Sequence, residues 1–231
     1  MKREELPEIT FVIPTISRLR SLVRTVKSIK AQSWKNAKIV IVVDDGRWDY
    51  YREVGRELGK KRDLQILINQ KRKGWCKTMN MVFHDTDSDY YFYGSDDLEF
   101  LPDTIMKAMA SHQLNFPDGD GVVGMNQQNL RHFCPAAFGI FGRKWKKRFP
   151  EDQVFFPNYR HFCGDSELWH YAKAVKKFQF CGGAKVFHHR TQDECHRLAQ
   201  STLGRDREIW WQKKGMPQKY WGHSFKLNPP F

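Results

Sequence analysis

The sequence predicts an α/β fold in which a mostly parallel central sheet is flanked by helices. Short apolar runs rich in β-branched residues alternate with segments of helical periodicity through the first half of the chain. The runs are apolar at consecutive positions, as expected for strands that helices cover on both faces. Polar and acidic residues follow directly after these runs, which places them together at one edge of the predicted sheet.

The first predicted elements are a strand and a helix. Residues 8–15 (EITFVIPT) form an apolar run that Pro14 interrupts, which indicates a buried strand leading into a turn. The segment 17–32 then predicts a helix with Ser17 as its N-cap. Its apolar residues recur at helical spacing: Leu19, Leu22, Val26 and Ile29.

The alternation continues to the middle of the chain. The pattern predicts strands at 37–46 (AKIVIVVDDG), 64–69 (LQILIN) and 89–97 (DYYFYGSDD), separated by helices at 48–60 and 74–85. These strands end in polar residues, namely Asp44-Asp45, Asn69 and Asp96-Asp97. Open α/β sheets bind ligands at the carboxyl ends of their strands. The chain has neither GxGxxG nor GxxxxGK[ST], which argues against a Rossmann dinucleotide enzyme and a P-loop ATPase.

After residue 115 the pattern is less regular. It predicts, in order, strands at 120–127 and 136–142, a basic and aromatic loop at 143–163, a helix at 164–178 opened by Asp165, a strand at 184–189 and a helix at 203–214. A tail rich in proline and aromatic residues follows. No linker is evident, so we expect a single domain over residues 1–231.

The composition indicates a globular protein with reduced thiols. Hydrophobic residues make up 40% of the chain, and eight tryptophans add to the material for a core. No apolar run approaches the roughly 20 residues that span a bilayer, and the N-terminus lacks the pattern of a signal peptide. Five cysteines form an odd set without a CxxC pair, which argues against a disulfide framework. We therefore expect a soluble cytoplasmic protein.

The chain is strongly basic, with 39 Lys and Arg against 26 Asp and Glu, for a net charge of +13. Much of the excess lies in clusters interleaved with aromatic residues, at 70–77, 142–149, 173–177 and 212–215. A polyanionic partner and a merely solvated basic surface both explain this pattern.

The combination of motifs resembles the family-2-like glycosyltransferases of the GT-A fold, which use nucleotide-diphosphate sugars. The features that carry the resemblance are FVIPTISRLRSLVRTVKSIKAQS, IVIVVDDG, NQKRKGWCKTMN, YYFYGSDDLEFLPD, GDSELW and VFHH. They extend from residue 9 to about residue 190 in the order that the family shows. The resemblance implies a nucleotide-sugar-binding half at 1–115, an acceptor and catalytic half at 116–190, and a C-terminal helix and tail at 191–231.

The resemblance implies that the nucleotide binds near the ends of the first two strands. Thr15 and Asp44 match positions that hold the base, and a carboxylate can accept the imide N–H of uracil. Pro14 and Arg18 flank the same turn. The segment from Gly74 to Asn80 matches a further nucleotide-binding stretch in which Met79 replaces the usual basic residue. We therefore expect Asn80, together with Lys73 or Lys77, to contact the nucleotide.

The Asp96-Asp97 pair corresponds to the metal motif of the family, with Gly94 in the place of a frequent additional aspartate. Two adjacent carboxylates repel each other unless a cation lies beside them. The resemblance implies Mn²⁺ or Mg²⁺, which take oxygen ligands from carboxylates and diphosphate. Asp97 is the expected ligand and Asp96 a second candidate that contacts ribose or sugar hydroxyls. His188 matches a histidine near the metal, and His189 is the alternative because one step along a strand reverses the side chain.

Asp165 in GDSELW matches the catalytic base of the family. In an inverting transfer, such a carboxylate accepts the proton of the attacking acceptor hydroxyl. The same position also describes a plain helix N-cap, and Glu167 is then the substitute base.

These features together predict a metal-dependent hexosyltransferase that moves one sugar from a nucleotide donor, preferentially a UDP-sugar. The basic and aromatic residues predict a polyanionic acceptor such as a hydroxymethylated base in DNA. Two alternatives remain open at this point: a cell-envelope or lipid-linked saccharide as acceptor, and a non-catalytic basic nucleic-acid-binding protein on a degenerate GT-A fold. The expected location is the cytoplasm of a bacterium or of a virus-infected host cell.

Overall fold

The computed structural model describes residues 6–59, 61–128, 134–190 and 192–214. Its strands are β1 (Ile9–Thr15), β2 (Ala37–Val43), β3 (Leu64–Ile68), β4 (Tyr90–Tyr93), β5 (Leu98–Phe100), β6 (Val122–Gln127), β7 (Gly139–Gly142) and β8 (Phe178–His188). Its helices are α1 (Leu19–Lys30), α2 (Trp48–Leu58), α3 (Trp75–Asp85), α4 (Thr104–Asn115), α5 (Arg143–Lys146), α6 (Gly164–Ala174), α7 (Glu194–Gln200) and α8 (Leu203–Lys214). The predicted Pro- and aromatic-rich tail lies outside the described residues.

One eight-stranded sheet, in the order β3-β2-β1-β4-β7-β6-β8-β5, spans both halves of the described chain. Strands β1 to β4 pair in parallel, β6 pairs in parallel with β8, and β7 and β5 run antiparallel to their neighbours. The predicted α/β fold with a mostly parallel sheet and flanking helices is therefore confirmed.

The sheet is covered on both faces, which explains why its parallel strands carry apolar residues at consecutive positions. Side chains alternate along a strand, so Phe11 and Ile13 enter one core cluster while Val12 enters the other. The first cluster includes side chains of α1, α2 and α4, and the second includes side chains of α3 and α6. Both clusters lie beneath the carboxyl ends of the parallel strands and hold those ends in place.

Several elements differ from the sequence prediction. The helix predicted from residue 17 begins at Leu19, and Ser17 is not its N-cap, since the Ser17 hydroxyl lies 3.4 Å from the Cys195 thiol. Strand β8 is longer than the predicted 184–189, and the predicted loop 143–163 contains α5 and a short 3-10 turn. Helices α4 and α7 and strand β5 were not predicted. In α4 the buried face includes Thr104 and His112, so polar residues interrupt the apolar periodicity.

The basic cluster at 142–149 lies at the edge of the sheet opposite to Asp96 and Asp97. Gly142, the last residue of β7, pairs with Tyr90, the first residue of β4, whereas the aspartates follow the end of β4. The cations of this cluster make contacts within the protein: Arg143 with Asp89, Lys144 with Asp118, and Arg148 with Asp120. This cluster therefore lies away from Asp96 and Asp97, and these cations are paired within the fold.

Lys146, at the centre of this cluster, is a core residue with 1% of its surface exposed. Its ammonium group donates to the carbonyl oxygens of Phe83 (2.7 Å) and Thr86 (2.8 Å) at the end of α3, and to the Tyr91 hydroxyl (2.9 Å). A cation at a helix C-terminus satisfies carbonyl groups that have no partner within the helix. Part of the positive charge of the chain thus serves the fold.

No helix within the described ranges combines the length and the apolar character that a bilayer span needs.

We predict that Lys146→Ala lowers the free energy of unfolding by about 3 kcal/mol, because it leaves buried carbonyl groups unpaired and opens a cavity. Lys144→Ala is the matched control, since Lys144 belongs to the same cluster but is exposed and should change stability little. Urea denaturation of the two variants checks the difference. Equal stability of both variants would contradict the structural role of Lys146.

Candidate functional site

A cavity of about 440 Å³ opens at the carboxyl ends of the parallel strands. It brings together three carboxylates that lie far apart in the sequence, Asp44 after β2, Asp97 after β4 and Asp165 in α6. Of the other residues expected at the site, Pro14, Thr15, Arg18, Asp96 and His188 also line it. The gathering of these acidic side chains at one edge, which the sequence predicted, is therefore present in the fold.

The cation beside the aspartate pair is Arg18. Its guanidinium Nη1 lies 2.9 Å from Asp97 Oδ2 and 3.5 Å from Asp96 Oδ1. On its other side, Nε and Nη2 donate to both carboxylate oxygens of Asp193, at 2.7 and 2.8 Å. Burial alone would lower the pKa of Arg18, but the hydrogen bond with Asp193 and the charges of Asp96 and Asp97 raise it. The guanidinium therefore stays charged and bridges α1, the aspartate pair and the start of α7.

The two adjacent aspartates have different environments. Asp96 accepts a hydrogen bond from the Thr15 hydroxyl at 2.7 Å, and burial together with the charge of Asp97 raises its pKa. For Asp97, burial also acts to raise the pKa, but hydrogen bonds from His188 and Ser95 and the charge of Arg18 hold it below the usual range. Asp97 is thus the carboxylate that remains ionised, whereas Asp96 takes up a proton more easily.

His188 faces the site and His189 faces away from it. The His188 Nε2 atom lies 3.2 Å from Asp97 Oδ1, and the His188 ring packs edge-on against Phe138. His189 Nε2 instead pairs with Glu99 at 2.8 Å. The pairing of Leu98 with His188 in the β5–β8 ladder sets this register.

Asp97 and His188 form a donor set that fits a divalent cation whose remaining ligands come from a substrate. Carboxylate oxygen and imidazole nitrogen both suit Mn²⁺, and Mg²⁺ commonly takes one or two carboxylates together with phosphate oxygens and water. Within the described ranges, no group of three or more His, Cys, Asp or Glu side chains could hold a metal alone. A metal at this position would therefore need further ligands from outside the described residues.

Asp44 orders the turn at one end of the cavity. Its Oδ1 accepts from the Asn69 side chain (2.7 Å) and the Lys73 backbone (2.9 Å), and its Oδ2 accepts from the Gly74 backbone (2.8 Å). Gly74 has φ +89°, and a Cβ there would lie 2.5 Å from the Arg160 carbonyl oxygen, so only glycine fits. Since a carboxylate has about four acceptor positions, roughly one remains for a ligand.

The structure does not bring the other predicted nucleotide-binding residues to the cavity. Lys73 and Lys77 are exposed, and neither is among the described residues that line it. Asn80 is buried and exchanges hydrogen bonds with the Phe155 backbone, at 2.6 and 3.0 Å, which is a structural role. Arg72 lines the cavity instead. The basic run QKRKG predicted a cation at this turn, but the sequence alone does not show which of its basic side chains faces the cavity. The path of the backbone decides that.

Asp165 is the second residue of α6, whose N-cap is Cys163, so it is not the cap that the alternative interpretation required. Its Oδ1 accepts from the Ser166 backbone at 2.8 Å, and the Cys134 thiol lies 3.5 Å from its Oδ2. Burial raises the pKa of Asp165. A carboxylate with one loosely held oxygen at a cavity wall can accept a proton from a bound hydroxyl.

Glu167, the substitute base, is not among the described residues that line the cavity. Its Oε1 lies 2.5 Å from the ammonium group of Lys213 in α8, and both side chains are buried. The carboxylate of Glu167 is engaged in this buried ion pair and does not line the cavity, so the structure does not support Glu167 as a base.

The sequence analysis did not predict that α7 and the turn before it form one wall of the cavity. Asp193 binds Arg18 and also caps α7, while Cys195, His196, Ala199 and Gln200 line the cavity. His161 and Phe162 line it from the segment before α6. The capping residue Asp193 was the one available sequence signal for α7.

The sequence profile of the family Glycosyl transferase family 2 matches residues 10–168. The fold is similar to the mannosyltransferase PcManGT from Pyrobaculum calidifontis, solved with GDP-Man and Mn²⁺, with a TM-score of 0.65, 15% identity and coverage of 95% of this chain and 68% of that one. It is also similar to GalNAc-T7, solved with UDP, GalNAc and Mn²⁺, with a TM-score of 0.62 and 12% identity. That match covers 82% of this chain and 45% of the other, so the chain spans less than half the length of that protein.

No curated protein sequence matches the chain. The identities to the solved structures are low and show a common fold alone. The family profile extends over more than half of the chain and ends within α6, so it includes Asp44, Asp97 and Asp165. The chain therefore belongs to glycosyl transferase family 2 and is a glycosyltransferase of the GT-A fold.

Proposed function

We propose that this glycosyltransferase moves a single hexose from a nucleotide-diphosphate sugar, preferentially a UDP-sugar, to a hydroxyl group of a polyanionic acceptor with inversion at the anomeric carbon. The observation that carries the proposal is the cavity itself. Asp44, Asp97 beside His188, and Asp165, whose pKa burial raises, all line one volume of about 440 Å³, which supports the proposal.

The donor end of the cavity suits a nucleoside diphosphate. Asp44 keeps about one acceptor position for the imide N–H of uracil, and Arg72 supplies a positive charge from the neighbouring turn. The two similar structures were solved with GDP-Man and with UDP and GalNAc, each together with Mn²⁺. Asp96, held by Thr15, is positioned to contact ribose or sugar hydroxyls.

Asp97 and His188 would hold Mn²⁺ or Mg²⁺, and diphosphate oxygens and water would complete the coordination. When bound, the ion neutralises charge that grows on the leaving diphosphate. Arg18 meanwhile keeps its contacts with Asp193 and with the aspartate pair, so the carboxylates keep their orientation.

Asp165 would act as the general base. It accepts the proton of the acceptor hydroxyl while that oxygen attacks the anomeric carbon, and its raised pKa brings it closer to the pKa that suits proton transfer at neutral pH. The backbone N–H of Ser166 orients one carboxylate oxygen of Asp165, and the other oxygen faces the Cys134 thiol.

The acceptor proposal rests on the cations and aromatic rings near the opening. Arg72 and Arg190 line the cavity, and the exposed Arg160 lies next to the lining residue His161. Phe162 and Trp75 offer apolar rings on the same wall. Cations that bind phosphates beside rings that stack on bases favour a hydroxymethylated base in DNA, which the enzyme would have to flip out of the duplex.

We expect the wild-type protein with Mn²⁺ to release the nucleoside diphosphate slowly from at least one donor in a panel of UDP-glucose, UDP-N-acetylglucosamine and GDP-mannose, with a preference for a UDP-sugar. Asp97→Asn should weaken Mn²⁺-dependent donor binding at least about tenfold, because it removes an ionised ligand. The matched control is Asp87→Asn, which changes an exposed aspartate at the opposite edge of the sheet. Calorimetric titration that found unchanged Mn²⁺-dependent binding in Asp97→Asn would contradict the assignment.

We expect a duplex that contains hydroxymethylcytosine to gain the mass of one hexose when incubated with donor and protein. The unmodified duplex of the same sequence is the control, since it lacks the acceptor hydroxyl. Binding to either duplex should weaken steeply as salt rises. Transfer to envelope or lipid-linked saccharides with none to DNA would instead establish the saccharide acceptor.

We expect Asp165→Asn to abolish turnover while donor affinity stays within about twofold, because the amide cannot accept the proton. In the wild type, kcat/KM should rise with pH through the pKa of Asp165. Since burial raises that pKa, the acidic limb should lie above the usual range of aspartate. A flat acidic limb or near-normal turnover in Asp165→Asn would show that another group is the base.

A further inference from the structure

Asp206 of helix α8 binds residues 160–162, which lead into α6, the helix that carries Asp165. Asp206 in α8 is fully buried, and its carboxylate accepts three backbone N–H groups, those of Arg160, His161 and Phe162, each at 2.9 Å. The Thr202 hydroxyl lies 3.3 Å from the same carboxylate. One side chain thus provides hydrogen-bond partners for three consecutive residues that belong to no helix or strand.

This segment connects the two ends of the cavity. The Arg160 carbonyl accepts from the Trp75 backbone at 2.7 Å, next to Gly74, whose N–H binds Asp44. His161 and Phe162 line the cavity, and Asp165 follows three residues after Phe162. Buried backbone N–H groups need partners, so without Asp206 the segment would have to move or take up water.

A second contact from α8 reaches α6 itself. Lys213 pairs with Glu167 at 2.5 Å, and its ammonium group lies 3.6 Å from the centre of the Phe156 ring. Glu167 is two residues beyond Asp165 in the first turns of α6. The match to the family ends at residue 168, so both contacts come from a part of the chain beyond the matched range.

We propose that Asp206 is a positioning residue that fixes Asp165 relative to the donor, with the Lys213–Glu167 pair as a second anchor. The inference rests on the proposed function of Asp165 as the base. The metal-side residues Asp97 and His188 lie on other elements and are bound by other partners. Loss of Asp206 therefore lowers the turnover number more than it lowers donor affinity.

The test compares Asp206→Asn with Glu208→Gln, which makes the same chemical change at an exposed position of the same helix. Hydrogen exchange followed by mass spectrometry measures protection of residues 160–162. Release of UDP from UDP-glucose with Mn²⁺, or from whichever donor the wild type turns over, gives kcat, and calorimetry gives the donor Kd. We expect faster exchange at 160–162 and a fall in kcat of about 10- to 100-fold in Asp206→Asn, with Kd within about twofold.

Unchanged protection at residues 160–162, or unchanged kcat, in folded Asp206→Asn would overturn the proposal, and so would an equal loss in Glu208→Gln. If Asp206→Asn does not fold, Lys213→Gln weakens the second anchor, the ion pair with Glu167, and should lower kcat about two- to fivefold with a smaller change in Kd. Absence of the fall in Lys213→Gln would then count against the proposal. A wild type that turns over no donor would refute the proposed function, whereas the exchange measurement would still decide whether Asp206 holds the segment.

Discussion

The ion pairs of Arg18 are the interaction on which the site depends. Two adjacent carboxylates that are buried at the end of a strand repel each other strongly, because the protein interior screens charge poorly. The guanidinium reduces that cost with charge and with directed hydrogen bonds. Hydrogen bonds from His188 and Ser95 lower the pKa of Asp97 further, whereas burial and the charge of Asp97 raise the pKa of Asp96. Through Asp193 the guanidinium also attaches α7 to the site, so the same side chain shapes the cavity wall.

The electrostatics of the cavity are consistent with a substrate that carries its own negative charge. A nucleoside diphosphate could not approach four carboxylates without cations, and Arg18, Arg72 and Arg190 line the same volume. In the proposed function, Asp97 and His188 leave most coordination positions of the metal to the substrate, so metal and donor would bind together.

The basic character of the chain has two physical meanings. Lys146 and Arg148 compensate carbonyl groups and a carboxylate within the fold. Arg72 and Arg190 instead line the cavity. The net charge therefore predicted the presence of cations correctly but not their location. Basic side chains that lie close in the sequence can lie at opposite edges of a sheet.

The sequence by itself determined the strands β1 to β4, the helices between them and the position of Asp44 and Asp97 at one edge, because apolar periodicity and strand ends are local features. The position of Asp165 beside them followed only from the resemblance to the family. Only the tertiary structure decided the rest. The register of the β5–β8 ladder places His188, and not His189, at the site. The turn at Asp44 places Arg72 at the cavity, whereas Lys73 and Lys77 do not line it. Lys213 of α8 forms an ion pair with Glu167. Each of these outcomes depends on which distant segment packs beside a residue, and no pattern within a short stretch of sequence carries that information.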